Sequence, residues 1–97
     1  MARRQFQDVF DDVLTGSVTA DLASVADGDE VAQSITVTGA ALGDFVLVSC
    51  SIDTADGTLT GSVTSANTVE VVLANNTGGA LNLGSATYKA VVLSPMD

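Results

Sequence analysis

Residues 58–74 read TLTGSVTSANTVEVVLA. Leu59, Gly61 and Val63 alternate with Thr58, Thr60, Ser62 and Thr64, and beyond a short break Val69, Val71 and Leu73 again take every second position. Period-two alternation sends successive side chains to opposite faces, so the stretch predicts two half-buried strands, with Val72 making the outer face of the second partly apolar. Between them Ser65-Ala66-Asn67-Thr68 predicts a tight turn, with Asn67 in the left-handed conformation that asparagine tolerates better than most residues. The stretch is therefore a β-hairpin, and the rest of the chain can be read against it.

Towards the C-terminus, Asn75-Asn76-Thr77-Gly78-Gly79 is the strongest loop signal in the chain. Leu81 and Leu83 predict a short apolar bridge before Gly84-Ser85. Thr87 to Leu93 then predicts a last strand, with Tyr88, Ala90 and Val92 facing opposite to Lys89, Val91 and Leu93, and with Pro95 as its stop. Towards the N-terminus, Asp53-Thr54-Ala55-Asp56-Gly57 predicts a loop. Asp44 to Ile52 is apolar on both faces, Phe45 and Leu47 against Val46, Val48 and Cys50, which predicts a central strand covered on both sides that nucleates the core. Val31, Gln33, Ile35 and Val37 share one face of a strand running through Thr38, after an acidic turn at Asp27-Gly28-Asp29-Glu30. Ser17 to Ser24 places Val18, Ala20 and Leu22 together on a first strand. Six strands with short turns and no room for crossover helices predict an all-β fold: an antiparallel β-sandwich or a jelly-roll-like, partly closed barrel of six to eight short strands.

The first 16 residues read differently. Phe6, Val9, Phe10, Val13 and Leu14 recur at helical spacing with Asp8, Asp11 and Asp12 between them, and Thr15-Gly16 is a helix stop. The spacing predicts an amphipathic N-terminal arm or short helix over residues 1–16, ahead of a sandwich domain over residues 17–97. A helix this short is marginal in water, so the arm must dock on its own domain, on a sister subunit or on another protein.

Composition bounds the function. Ninety-seven residues make one domain, and 46% hydrophobic against 15% charged residues, with a mean hydropathy of +0.41, leave more apolar surface than a small monomer hides; a buried subunit interface is expected. A net charge of -9 excludes nucleic acid as a direct partner, because phosphate binding needs clustered Lys or Arg. Two of the three basic residues are Arg3 and Arg4, which leaves Lys89 alone on an anionic body. Neither a secretory signal nor a membrane span is expected, since Asp8, Asp11 and Asp12 stand where an apolar segment would be and the apolar run from Ala40 to Cys50 is broken at Gly43, Asp44 and Ser49. One cysteine, Cys50, allows no intrachain disulfide and reads as a small core residue; synthesis in a reducing cytoplasm fits.

Catalytic chemistry has little to stand on. The chain has no histidine to activate Ser49, Ser51 or Cys50. The carboxylate pairs Asp53 with Asp56 and Asp29 with Glu30 read as solvated turn residues, with no apolar pocket to drive their pKa values apart. The same two loops offer oxygens to calcium without the spacing of a helix-loop-helix calcium site, and the Gly39 and Gly43 pair lacks the strand-to-helix context of a dinucleotide site. No enzyme, metal or cofactor is expected.

Three stretches carry a resemblance: residues 37–49, VTGAALGDFVLVS; residues 63–71, VTSANTVEV; and NNTGGA at 75–80 running into LGSATY at 83–88. In this order they resemble small β-domain proteins from the structural gene modules of tailed bacteriophages, used as capsid decoration (cement) proteins or as head- and tail-fibre domains. The resemblance covers most of residues 20 to 93 and leaves residues 1–16 outside it. It implies a viral structural protein that binds the outer surface of a phage capsid and stabilises subunit junctions, with the major capsid protein and itself, as a homotrimer, for partners. Its expected place is the virion surface after synthesis in the host cytoplasm. Arg3, Arg4, Phe6, Val9, Phe10, Val13 and Leu14 are the expected capsid- or subunit-binding residues, and outer positions such as Val72 and Val91 the expected contacts between subunits. The alternative within the same resemblance is a receptor-binding fibre domain, which would want aromatic or charged loops where this chain has small polar ones.

Overall fold

The computed structural model describes residues 10–95, with side chains from residue 13. Its six strands are β1 (Phe10–Asp21), β2 (Glu30–Thr36), β3 (Phe45–Cys50), β4 (Thr58–Ser65), β5 (Thr68–Ala74) and β6 (Ser85–Pro95). They form two antiparallel three-stranded sheets, ordered β1-β6-β3 and β2-β5-β4. Only β4 and β5 join as a hairpin; every other connection carries the chain from one sheet to the other. The all-β antiparallel sandwich read from the sequence is the fold observed.

The hairpin turns where residues 65–68 predict. Asn67 has a φ of 63°. Its side-chain oxygen accepts from the Gly39 amide at 2.7 Å, its carbonyl accepts from the Val37 amide at 2.9 Å, and its own amide donates to the Ala40 carbonyl at 2.9 Å. One left-handed asparagine thus ties the β4–β5 turn to the β2–β3 loop.

The strand faces follow the alternation. Val69, Val71 and Leu73 of β5 and Ala86, Tyr88, Ala90 and Val92 of β6 are buried and meet between the sheets, joined by Ile35, Val37 and Val63. Each fully buried Val, Leu or Ile contributes about 1.5–3 kcal/mol relative to exposure. The two central strands, β5 and β6, therefore supply most of the core, and β3 does not. It is an edge strand, paired only with β6 in its sheet, with Phe45 58% and Leu47 61% exposed on its outer side. The sequence reading of residues 44–52 as a central, doubly covered strand is corrected here: Val46, Val48 and Cys50 pack inward, while Phe45 and Leu47 on the opposite face stay more than half exposed.

A second correction concerns the N-terminus. Phe10 to Asp21 is one strand, in register with β6 from Phe10 opposite Pro95 to Asp21 opposite Ser85, with an irregularity between Phe10 and Asp12. The helical reading fails from Phe10 onward because Val13 and Leu14 lie on opposite faces of a strand, Val13 exposed and Leu14 packed on the core. The sandwich therefore begins at Phe10 rather than at residue 17; residues 1–9 lie outside those described.

At two edges the sheets approach closely enough to exclude a side chain. A Cβ on Gly16 of β1 would stand 2.5 Å from the Thr36 carbonyl oxygen and 2.8 Å from a Val37 methyl, and one on Gly61 of β4 would stand 2.4 Å from a Val48 methyl of β3. Glycine lets β1 lie on β2 and β3 on β4, which draws the sandwich towards a flattened barrel. Gly16→Ala and Gly61→Ala should each destabilise the fold by about 1–3 kcal/mol, the usual cost of overpacking. Gly79→Ala, at a site open to solvent with ordinary φ, should leave the thermal midpoint unchanged, and a melting series of the three variants checks both expectations.

Candidate functional site

The two outer faces of the sandwich differ in chemistry. On β2-β5-β4 the outward positions are Glu30, Ala32, Ser34 and Thr36, then Thr68, Glu70, Val72 and Ala74, then Thr58, Thr60 and Ser62. That face is a hydroxyl-rich surface with one large apolar side chain, the half-buried Val72. On β1-β6-β3 the registers stack outward residues in rows across the three strands: Val13, Leu93 and Phe45; Thr15, Val91 and Leu47; Ser17, Lys89 and Ser49; with Thr19 and Thr87 beyond. The first two rows are apolar save for Thr15. The last are hydroxylic, with Thr19 and Thr87 bonded through their hydroxyls at 2.9 Å and the Thr87 amide donating to the Ser51 hydroxyl at 2.8 Å.

The apolar rows end beside the β2–β3 loop, which carries Leu42 at 71% exposure. That loop is built for its shape: Gly39 and Gly43 have φ of 95° and 97°, the Asp44 carboxylate accepts from the Ala41 amide, and the Asp44 amide returns a bond to the Ala41 carbonyl. Leu42 is held out at the tip of a fixed turn. An open hollow of about 250 Å³ lies on the same face, lined by Thr15, Gly16, Ser17, Lys89, Ala90 and Val91. From the Val13 row to the Thr19 row, Lys89 is the one charged residue of this face. Of the carboxylates, Asp11 and Asp12 precede Val13 on β1, Asp21 stands at its far end, Asp44 is in the Leu42 loop, Glu30 and Glu70 are on the other sheet, and Asp27, Asp29, Asp53 and Asp56 are in other loops.

Of the binding residues expected from sequence, Arg3, Arg4, Phe6 and Val9 lie outside the described residues. Nothing is described of the Phe10 side chain, though its backbone opens β1. Val13 belongs to the apolar face and Leu14 does not, being on the core side. Val72 and Val91 both face outward as expected, but on opposite faces of the sandwich, so one flat interface cannot use both. Leu42, Phe45 and Leu47 complete the patch. Their exposure was hidden in the sequence because the apolar run of β3 looks the same whether its outer side is buried or bare.

The acidic loops are occupied with their own backbone. Asp27 accepts from the Gly78 amide at 3.0 Å, Asp29 from the Glu30 amide at 2.8 Å, and Asp53 from the Ala55 amide at 2.9 Å. Among the described residues no three His, Cys, Asp or Glu side chains are grouped to hold a metal ion.

Asn75, read from sequence only as part of a loop, is fully buried. Its amide nitrogen donates to the Val25 and Gly79 carbonyls at 2.8 and 2.7 Å, and its side-chain oxygen accepts from the Thr77 amide and hydroxyl at 3.0 and 2.7 Å. Its backbone exchanges bonds with Gly28 and Asp29. All four hydrogen-bonding positions of the side chain are filled, which makes burial of the amide tolerable and pins the β1–β2 loop to the β5–β6 loop. Asn75→Ala should cost about 2–3 kcal/mol in urea unfolding. Asn75→Asp should cost more at neutral pH, since it turns a carboxylate oxygen towards two carbonyls.

Tyr88 is the exception to this accounting. It is fully buried between Ala86 and Ala90 along β6, opposite Val18 and Cys50, and its hydroxyl has no hydrogen-bond partner. The Cys50 thiol lies beside it but is too weak a partner to satisfy it. Burial pushes the Tyr88 pKa above its ordinary value near 10, with the charges of Cys50 and, less, Asp21 adding to the effect. A raised pKa in the folded state means that the unfolded chain gives up this proton first. The contribution of Tyr88 to stability is thus intact below pH 10 and falls as pH rises beyond it. Tyr88→Phe, which removes the orphaned hydroxyl, should leave neutral-pH stability equal or higher and flatten the alkaline loss, as denaturant titrations at successive pH values would show.

Compared with protein-family models, with curated proteins and with solved structures, the chain has no match.

Proposed function

We propose that this chain is a non-catalytic structural protein of a phage virion, a decoration protein that lies on the outer capsid surface and fastens subunit junctions. The observation that carries the reading is the contrast between the two faces: one presents Val13, Phe45, Leu47 and Val91 with Leu42 on the adjoining loop, while hydroxyls and carboxylates prevail on the other sheet. An exposed apolar cluster on a small, strongly anionic domain is a contact surface for protein. A catalytic reading has no such support, because in each candidate carboxylate pair one member, Asp29 or Asp53, accepts from a turn amide.

The motifs behind the resemblance fit the same reading from another side. Asn67, Gly39 and Asp44 fix the loop from which Leu42 projects, and Asn75, Thr77 and Gly78 lock the opposite end. They describe a rigid carrier with a presented surface. Many such carriers on one shell, each binding weakly, would hold it through avidity, and closed rings such as trimers suit its three-fold positions.

The test is co-expression with the major capsid protein of the genome that encodes the chain. The protein should co-sediment with assembled shells and raise their temperature of disruption, and Leu47→Asp with Leu42→Asp should abolish both effects while leaving the isolated fold intact. Absence of shell binding by the parent chain, or full occupancy by the double variant, would overturn the proposal.

A further inference from the structure

The open hollow of about 250 Å³ on the β1-β6-β3 sheet is walled by Thr15 and Val91 in one row and by Ser17 and Lys89 in the next. Its floor is the backbone of Gly16 and Ala90, both of which face the core. The row of Lys89 holds Ser17 and Ser49, and the rows on either side, Thr15 with Val91 and Leu47, and Thr19 with Thr87, hold no carboxylate. We propose that this hollow receives an acidic side chain of a partner protein, with its carboxylate on the Lys89 ammonium and its stem on Val91. The inference rests on the decoration reading above and deepens it by naming the chemistry that the shell presents to this face.

Three observations carry it. The first is an unpaired charge. Residues 10–95 hold ten carboxylates and one cation, yet Lys89 is exposed and makes no ion pair among the described residues. An ammonium so placed is open to an anion from outside, and a bond between ionised partners is about twice as strong as a neutral one. The second is hydrogen bonding. The Thr19 and Thr87 hydroxyls satisfy each other and the Ser51 hydroxyl accepts from the Thr87 amide, whereas the hydroxyls of Thr15 and Ser17, which line the hollow, have no partner among the described residues. A carboxylate takes more hydrogen bonds than one lysine supplies, and these hydroxyls stand where further donors are needed. The third is size and net charge together. Small-molecule pockets start near about 300 Å³ and enclose most of their ligand. A smaller, open hollow suits a protruding side chain rather than a whole molecule. A polyanion such as nucleic acid would be repelled by a net charge of -9, whereas a single carboxylate on a protein surface meets the local cation. Val91 and the exposed Leu47 beside it supply apolar contact for the surface around that carboxylate.

The test uses the full chain and two probes. In an NMR titration, N-acetyl-glutamate amide, which carries one carboxylate on a short stem, should shift the backbone amides of Thr15 to Ser17 and of Lys89 to Val91. N-acetyl-glutamine amide should not, and Lys89→Gln should abolish the shifts while leaving the thermal midpoint unchanged. In co-expression with the major capsid protein, Lys89→Glu should weaken shell binding by about tenfold or more, Lys89→Arg should retain it, and high salt should narrow the difference. Equal shell affinity of the parent and Lys89→Glu would overturn the proposal and leave the decoration reading standing. A parent chain that binds no shell would sink the decoration reading instead, and the titration then decides: shifts that depend on Lys89 keep the hollow as a carboxylate site, and their absence overturns it.

Discussion

The closest approach of the two sheets, at Gly16 on one edge and Gly61 on the other, sets the geometry on which the remaining structure depends. With no Cβ at either position, β1 settles onto the Thr36–Val37 backbone and β3 onto β4. Between these seams the sheets must still separate enough to hold Tyr88, which they do by alternating sizes along β6: Ala86, Tyr88, Ala90 and Val92. The row through Gly16, Ala90 and Val48 is narrow; the adjacent row through Val18, Tyr88 and Cys50 is wide. Such size matching is how a short chain reaches interior packing density without long side chains. The unsatisfied Tyr88 hydroxyl is the cost of filling the wide row with the one residue large enough for it.

The seams also bear on how the molecule can associate. An edge strand offers unpaired backbone groups to any passing strand, and natural sheets protect such edges. Here each sheet's edge strands lie against those of the other sheet, β1 beside β2 and β3 beside β4, and β4 carries an irregularity between Val63 and Ser65 that interrupts its pairing line. That leaves the faces as the broad surfaces for contact. Among the described residues only the face of β1-β6-β3 has large apolar side chains in adjacent rows.

What the sequence made legible was whatever depends on near neighbours. Alternation in 58–74 placed every inward residue of β4 and β5 correctly, and the chemistry of Asn67 announced its left-handed turn. Pairings between distant residues were not legible. Residues 10–16 read as a helix because Phe10, Val13 and Leu14 happen to fit a helical spacing, while Gly16, an inward position, offers no side chain to reveal the alternation that continues through Val18 and Ala20. What makes them a strand is β6, more than seventy residues away. Residues 45–50 read as central because hydrophobicity on both faces records only that both are apolar, not whether the chain itself covers them. Asn75 read as one loop residue among several, since its partners at Val25, Gly28 and Asp29 are distant in sequence.

The error at β3 is the informative one. A strand apolar on both sides and placed at an edge is a local conflict, since the side chains of Phe45 and Leu47 stay 58% and 61% exposed. Apart from the orphaned Tyr88 hydroxyl, the rest of this chain is locally consistent, from strand faces to turn residues to the filled amide of Asn75, and a surface conflict in such a chain points to a requirement outside the fold. Burying Leu47 against another protein surface contributes about as much as burying it in a core, roughly 1.5–3 kcal/mol, and that gain exists only in the assembled state. Carboxylates are spread over the other sheet and most of the loops, so random encounters between copies would meet charge repulsion, and contact through this face would bring fewer of them together. On the proposed reading the anionic body limits non-specific association and the apolar face supplies the specific kind.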